Sequence, residues 1–271
     1  EKGEININNN YLYSSNENEH YLSAGISSDY LADEAVNDGD IKITNKGKIN
    51  ITSNINENKN KFVAGSIGIH TEGDKTTIVN SGDISSNIVL GENSKIKGAY
   101  SFGILTEGNE TTINNSGNID IKITDNSKNI ANNKVLIAGI VNLSNSANDI
   151  VNNNTINITG KKYNGTLENL DSNVFGGGIY SNIGNITNNG VLSISGDKMF
   201  GIYGGNNSIV KNENEIKLDG DYVVGIKGNN SQLINNKNIS INSKNNFFAT
   251  NVTLLPSITY ETGKTIPELI L

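Results

Sequence analysis

Carboxylates set close together are the first places to look for chemistry in this sequence. They occur as Asp38/Asp40, as Asp219/Asp221 and as the cluster Asp29/Asp33/Glu34. Two carboxylates facing one glycosidic bond at a fixed separation would make a hydrolase. Aspartate is also ordinary turn chemistry, since its side chain bonds nearby backbone. A polysaccharide lyase typically needs a basic residue, often arginine, to take a proton beside an acidic sugar. This chain has no arginine, so all 21 basic residues are lysines. The two histidines, His20 and His70, do not form a metal-ligand spacing, and without cysteine there is neither a thiolate metal site nor a disulfide. No Gly-x-Ser-x-Gly elbow, phosphate-binding loop or His-Glu-x-x-His is present, and Gly176-Gly177-Gly178 belongs to a repeat. Catalysis, a metal and a cofactor are therefore not expected.

Tyrosine offers a different chemistry. Tyr11, Tyr13 and Tyr21 lie in one polar stretch with Asn16, Glu17, Asn18 and Glu19, and Tyr163 lies in another. A flat apolar ring with a hydroxyl suits contact with sugar or protein. The plainer reading is that these tyrosines pin loops to a scaffold.

What must position such residues is a repeat. Phe200-Gly201-Ile202, Ile209-Val210, Asn212-Glu213-Asn214 and Ile216-Lys217-Leu218 return as Val224-Gly225-Ile226, Leu233-Ile234, Asn235-Asn236 and Ile239-Ser240-Ile241. The Gly-Ile pairs here lie 24 residues apart, and the element also begins at Gly25, Gly68, Gly103, Gly139 and Gly178. Each repeat holds three short period-two segments separated by Gly-, Asn- and Asp-rich turns. Period-two alternation means strand, and three short strands per turn of ~24 residues predict an all-β fold, a three-sided parallel β-helix. The strand-crossover rule makes it right-handed. It should have about seven to eight coils ~4.8 Å apart, with isoleucine stacked on isoleucine inside. The recurring Asn and Gly should turn corners, with stacked asparagines hydrogen-bonding along the axis. Residues 37–43 and 45–51 both match the Asn-x-Gly-x-Ile-x-Ile pattern, so either two strands follow closely or one match is a decoy.

The solenoid is expected over residues 1–246. Extra residues near 8–22, 52–62, 85–98, 122–136 and 159–175 all fall after Ile-x-Ile and before Gly-Ile, and are expected as loops stacked on one edge. Both prolines, Pro256 and Pro267, fall in 247–271, which reads as a terminal strand or linker. If the residues flanking each repeat glycine point inward, the glycines form a bare outward strip. The chain opens in mid-repeat with Gly3-Glu4-Ile5 and reads as a piece of a longer polypeptide. Its net charge of −7 argues against nucleic acid. No apolar run approaches the ~18 residues of a membrane-spanning helix.

Repeats such as Asn114-Asn115-Ser116-Gly117-Asn118-Ile119-Asp120-Ile121 and Phe200-Gly201-Ile202-Tyr203 resemble the passenger repeats of type V autotransporters. Their Asn/Lys/Ile-rich style is similar to the large fusobacterial autotransporter adhesins. The resemblance covers about residues 3–241. It implies a cell-surface or secreted passenger, an outer-membrane barrel elsewhere in the full-length chain, and a host-cell or bacterial surface receptor, glycan or protein. The competing expectations are a passive stalk and a polysaccharide lyase or hydrolase.

Overall fold

The computed structural model describes residues 3–11, 20–28, 41–56, 58–127, 135–146, 148–161 and 174–243. Within them the chain makes strands and no helix. Glu4–Tyr11, His20–Ser28 and Lys42–Asn45 begin three sheets, and every later coil adds one strand to each in the same order. The first sheet gathers eight strands and ends with Ile239–Asn242. The second and third gather seven each and end with Val224–Gly228 and Gln232–Asn235. Neighbours are parallel throughout, as in Ile119 over Ile84 and Ile156 over Ile119. This is the expected three-sided parallel solenoid.

Four-residue strands are too short to persist alone, and each is held by the coils on either side. Alternation does the rest. In Thr77–Asn80 the buried residues are Ile78 and Asn80, and in Ile216–Asp219 they are Ile216 and Leu218. The first sheet stacks Ile49, Ile84, Ile119, Ile156, Leu192 and Ile216, and the third stacks Ile43, Ile78, Ile113, Ile150, Ile186 and Val210, all buried in one core. Branching at Cβ fixes these side chains against the pleated sheet, so identical neighbours stack with little rotamer entropy to lose.

Two matching motifs near the N-terminus now separate. Ile43 lies in the third sheet, in register with Ile78, whereas Ile49 and Ile51 lie in the first sheet opposite Ile84 and Ser86. The 45–51 match is the true rung, and 37–43 is the decoy, its Ile41 and Ile43 belonging to the apolar stretch that precedes each rung asparagine.

The recurring asparagine sits, as expected, at the corner where the third sheet passes to the first, and its side chains form the expected ladder along the axis. It ends each third-sheet strand and is buried from Asn45 to Asn212. Asn45 Nδ2 donates to Asn80 Oδ1 at 2.7 Å, and the series continues through Asn115, Asn152, Asn188, Asn212 and Asn235 at 2.6–2.8 Å. The same Nδ2 also donates to the carbonyl two residues on, as Asn115 does to Gly117 at 2.9 Å. Among the described residues, left-handed backbone occurs elsewhere: at Lys75, Glu110, Lys198, Asn207, Tyr222 and Asn230, and at Gly184 and Gly196. Glycine follows the ladder residue because of close stacking. A Cβ on Gly82 would lie 1.7 Å from the Gly47 carbonyl oxygen.

Two of the expected loops are largely strand. Residues 52–55 and 58–62 continue Lys48–Ile55 and open Asn58–Thr71, while 85–90 and 95–98 do the same for Ile84–Leu90 and Lys95–Thr106. These lengthened strands bury Ile55, Ile88, Leu90 and Ile96. A fully buried isoleucine or leucine is worth roughly 1.5–3 kcal/mol, so these insertions widen the core and are scaffold. The expected insert at 8–22 is likewise partly strand, because residues 8–11 belong to Glu4–Tyr11 and 20–22 to His20–Ser28.

Ser86 breaks the isoleucine column, and the structure shows why it is tolerated. Its Oγ lies 2.6 Å from Ser66 Oγ and 2.7 Å from Ser101 Oγ, all three buried. Ser86→Ala should cost about 1–3 kcal/mol, because two buried hydroxyls lose their shared partner. Replacing all three serines by alanine should cost less than the sum of the single changes, since no orphan hydroxyl then remains. Urea denaturation of the wild type, the three single variants and the triple variant reads both outcomes.

Candidate functional site

The second sheet differs from the others in being apolar on both faces. Its inner side contributes Ile69, Ile104, Ile140, Ile179 and Ile202 to the core. Ile67, Phe102, Leu105, Ala138, Val141, Tyr180 and Phe200 form a separate cluster on the opposite side. The repeat glycine sits between the two sets and faces inward. A Cβ on Gly103 would lie 2.4 Å from Ile119 Cγ2, and one on Gly68 would lie 2.4 Å from Ile84 Cγ2. The expected outward strip of bare glycine is therefore absent. Phe102 faces out, whereas Gly103 and Ile104 both face in, so strict alternation fails at the glycine. This gives the outer face its side chains in place of a bare backbone.

Register arranges those side chains in columns. One column runs Ser27, His70, Leu105, Val141, Tyr180, Tyr203, Lys227. The next runs Ala24, Ile67, Phe102, Ala138, Gly177, Phe200, Val224. Middle members are buried, and Tyr203, Val224 and Lys227 are half-buried. Parallel register places the rings one above another. Tyr180 and Tyr203 stack at 5.2 Å between centroids and 16° between planes, and Phe200 tilts against Tyr203 at 6.1 Å. Tyr100 stacks on Phe102 at 5.6 Å. The Lys227 ammonium lies 5.9 Å from the Tyr203 ring centroid, at the edge of cation–π range.

Burial sets the protonation of these groups. It pushes the Tyr180 phenol well above its usual range, with the neighbouring Tyr203 adding to the effect, and it raises Tyr203 as well. Both phenols therefore remain neutral hydrogen-bond donors and acceptors. Burial lowers Lys227. Tyr180 and Phe200 are buried, so the C-terminal end of this face offers the half-buried Tyr203, with its ring and hydroxyl, beside the half-buried Lys227, a combination suited to contact with a sugar ring or an apolar side chain.

At the N-terminal end of the same column, His70 meets two glutamates. Its Nε2 lies 3.1 Å from Glu107 Oε1 and 3.9 Å from Glu72 Oε1. This meeting does not show in the linear spacing, because Glu107 comes from the next coil. The missed signal is a small repeat within the repeat: Thr71-Glu72-Gly73 returns 35 residues later as Thr106-Glu107-Gly108.

A buried ion pair, Lys161 with Asp125, joins two coils at the other border of the second sheet. Desolvation lowers the lysine, and the Asp125 carboxylate opposes that shift. The Asp125 carboxylate also accepts from the Ser127 N–H at 2.9 Å, and the pair links consecutive coils as a structural tie.

Of the tyrosines picked out from sequence, Tyr11 ends a first-sheet strand opposite Ile55, and Tyr21 lies in a second-sheet strand opposite Ala64. Both are strand residues and not members of a loop. Tyr13 and Tyr163 lie outside the described residues, as do Asp38/Asp40 and Asp29/Asp33/Glu34. Asp219 and Asp221 are occupied with coil stacking: Asp219 accepts from Asn242 Nδ2 at 2.9 Å, and Asp221 accepts from Ser243 Oγ at 3.0 Å. They do what turn aspartates do. Compared with known proteins, the chain matches no family model, no curated protein and no solved structure.

Proposed function

We propose that this chain is an extracellular segment of a bacterial surface adhesin, binding a host or bacterial surface glycan or protein at the edge where the first sheet passes to the second. The observation that carries this reading is the aromatic outer face of the second sheet. Tyr203 and Lys227 stand half-buried over the buried Tyr180 and Phe200, on one side of a scaffold whose first sheet is lined outside by residues such as Asn50, Ser85, Asp120, Asn157 and Lys217. The described strands that flank segments 12–19, 128–134 and 162–173 in sequence belong to the first sheet on one side and to the second on the other. Tyr13 and Tyr163 belong to these segments. Bacterial surface placement, anchorage through a barrel elsewhere in the chain, and a receptor as partner follow from the repeat resemblance.

A stalk is the second reading, and the unbroken asparagine ladder favours it, because such regularity serves length and stiffness. Binding of the purified chain to host cells and to a glycan array separates the two. The adhesin reading expects saturable binding that Tyr203→Ala weakens by about tenfold or more, as loss of an aromatic anchor does. It also expects weaker binding when residues 163–172 are replaced by a short turn. Absence of binding, or binding untouched by both changes, would leave the stalk.

A further inference from the structure

Glu72 and Glu107 follow directly on the second-sheet strands Asn58–Thr71 and Lys95–Thr106. The Glu107 N–H donates to the Thr71 carbonyl, and Thr71 is in register with Thr106, so the two glutamates hold equivalent places on successive coils. Parallel register puts like over like, and two carboxylates stacked this way repel. His70 enters the same place from the strand that precedes Glu72. Its side chain is 5% exposed, whereas those of Glu72 and Glu107 are 43% and 44% exposed. The imidazole is thus held by the scaffold while the carboxylates keep access to water. Its Nδ1 lies 3.5 Å from Ser27 Oγ, on the coil before. Contacts of that kind fix the ring orientation of a ligand histidine.

We propose that His70 Nε2, Glu72 and Glu107 bind a divalent transition-metal ion, with water completing its shell. One ligating atom from each residue lies within 4.8 Å of the other two. Ligands about 2.0–2.2 Å from a zinc ion stand roughly 3–3.5 Å from one another. The His70–Glu107 separation of 3.1 Å already meets this, and the His70–Glu72 separation of 3.9 Å needs only a small turn of an exposed glutamate. Two carboxylates and one neutral imidazole balance a 2+ charge. The nitrogen ligand favours zinc, nickel or cobalt over calcium, which takes oxygen ligands. The ion would replace repulsion between two coils by a shared ligand and would tie them together.

The test is zinc titration by calorimetry on chelator-stripped protein at neutral pH, with thermal melts alongside. One saturable site and a raised melting temperature are expected. Because loss of even an outer contact costs 10–100-fold in affinity, Glu72→Gln and Glu107→Gln should each weaken zinc at least tenfold. Both residues are half-exposed, and glutamine keeps their shape, so metal-free melting of the variants reports any loss of fold. No saturable zinc binding, or wild-type affinity in both variants, would overturn the site. Calcium binding as tightly as zinc would overturn the choice of metal. An imidazole that only pairs with Glu107 gives a lower metal-free melting temperature in Glu107→Gln and no response to zinc, which also overturns it.

Discussion

Gly103→Ala is expected to destabilise the solenoid by about 3 kcal/mol or more, at the upper end of what overpacking a close-packed core costs. The added methyl would lie 2.4 Å from Ile119 Cγ2 and 2.6 Å from the Gly139 carbonyl oxygen. An isoleucine can turn a little. The carbonyl cannot, because Gly139 sits in the next strand of the second sheet, whose own interior fixes it. The obstruction recurs up the stack, with Gly139 facing Ile156 at 2.4 Å and the Gly178 oxygen at 2.7 Å. The strain therefore falls on the interface between coils, which in a stacked protein carries the stability of both neighbours. Gly3→Ala is the control, since nothing lies within 4 Å of the added atom. Urea denaturation of the two variants should show a large loss for the first and little change for the second. Comparable stability of Gly103→Ala and wild type would mean that the repeat glycines do not face the core.

Asn115→Ala should cost roughly 2–5 kcal/mol by breaking the asparagine ladder at its middle. The substitution removes the acceptor for Asn80 and the donor to both Asn152 and Gly117. Buried hydrogen bonds contribute about 1 kcal/mol each, but a buried group left without a partner costs about 1–3 kcal/mol. The orphaned Asn80 donor and Asn152 acceptor decide the outcome, since both residues are fully buried. Asn115→Asp should be as damaging. It keeps the acceptor for Asn80 but cannot donate, and it sets a carboxylate against two acceptor oxygens. Hydrogen exchange should show the loss of protection concentrated in the coils that carry Asn80, Asn115 and Asn152. An even loss over all coils would contradict a local role.

The repeat made the three sheets, the asparagine positions and the core isoleucines legible in advance, because each follows from alternation or from a fixed spacing. The facing of the glycines was not legible. Alternation assigns Gly103 to the side opposite Ile104, whereas both face inward where the pairing skips the glycine, and nothing in a linear pattern marks that break. The insertions near 52–62 and 85–98 misled for a related reason. Their alternation, as in Ile84-Ser85-Ser86-Asn87-Ile88-Val89-Leu90, continues the preceding strand, yet it is obscured by serine at an inward place. The aromatic column and the meeting of His70 with Glu107 depend on which residues of different coils share a register. Intervals that change from coil to coil hide that register until the strands are aligned.

The asparagine ladder also has a direction. Every side-chain amide donates toward the C-terminal neighbour and accepts from the N-terminal one, from Asn45 to Asn235. A stack of any length therefore ends on an amide hydrogen at its C-terminal side and on an amide oxygen at its N-terminal side, and under-satisfied oxygens are better tolerated than orphaned N–H groups. Aligned amides also polarise one another, so each added bond strengthens those already made. The scaffold is therefore polar along its axis, and its two ends offer different hydrogen-bonding groups to whatever meets them.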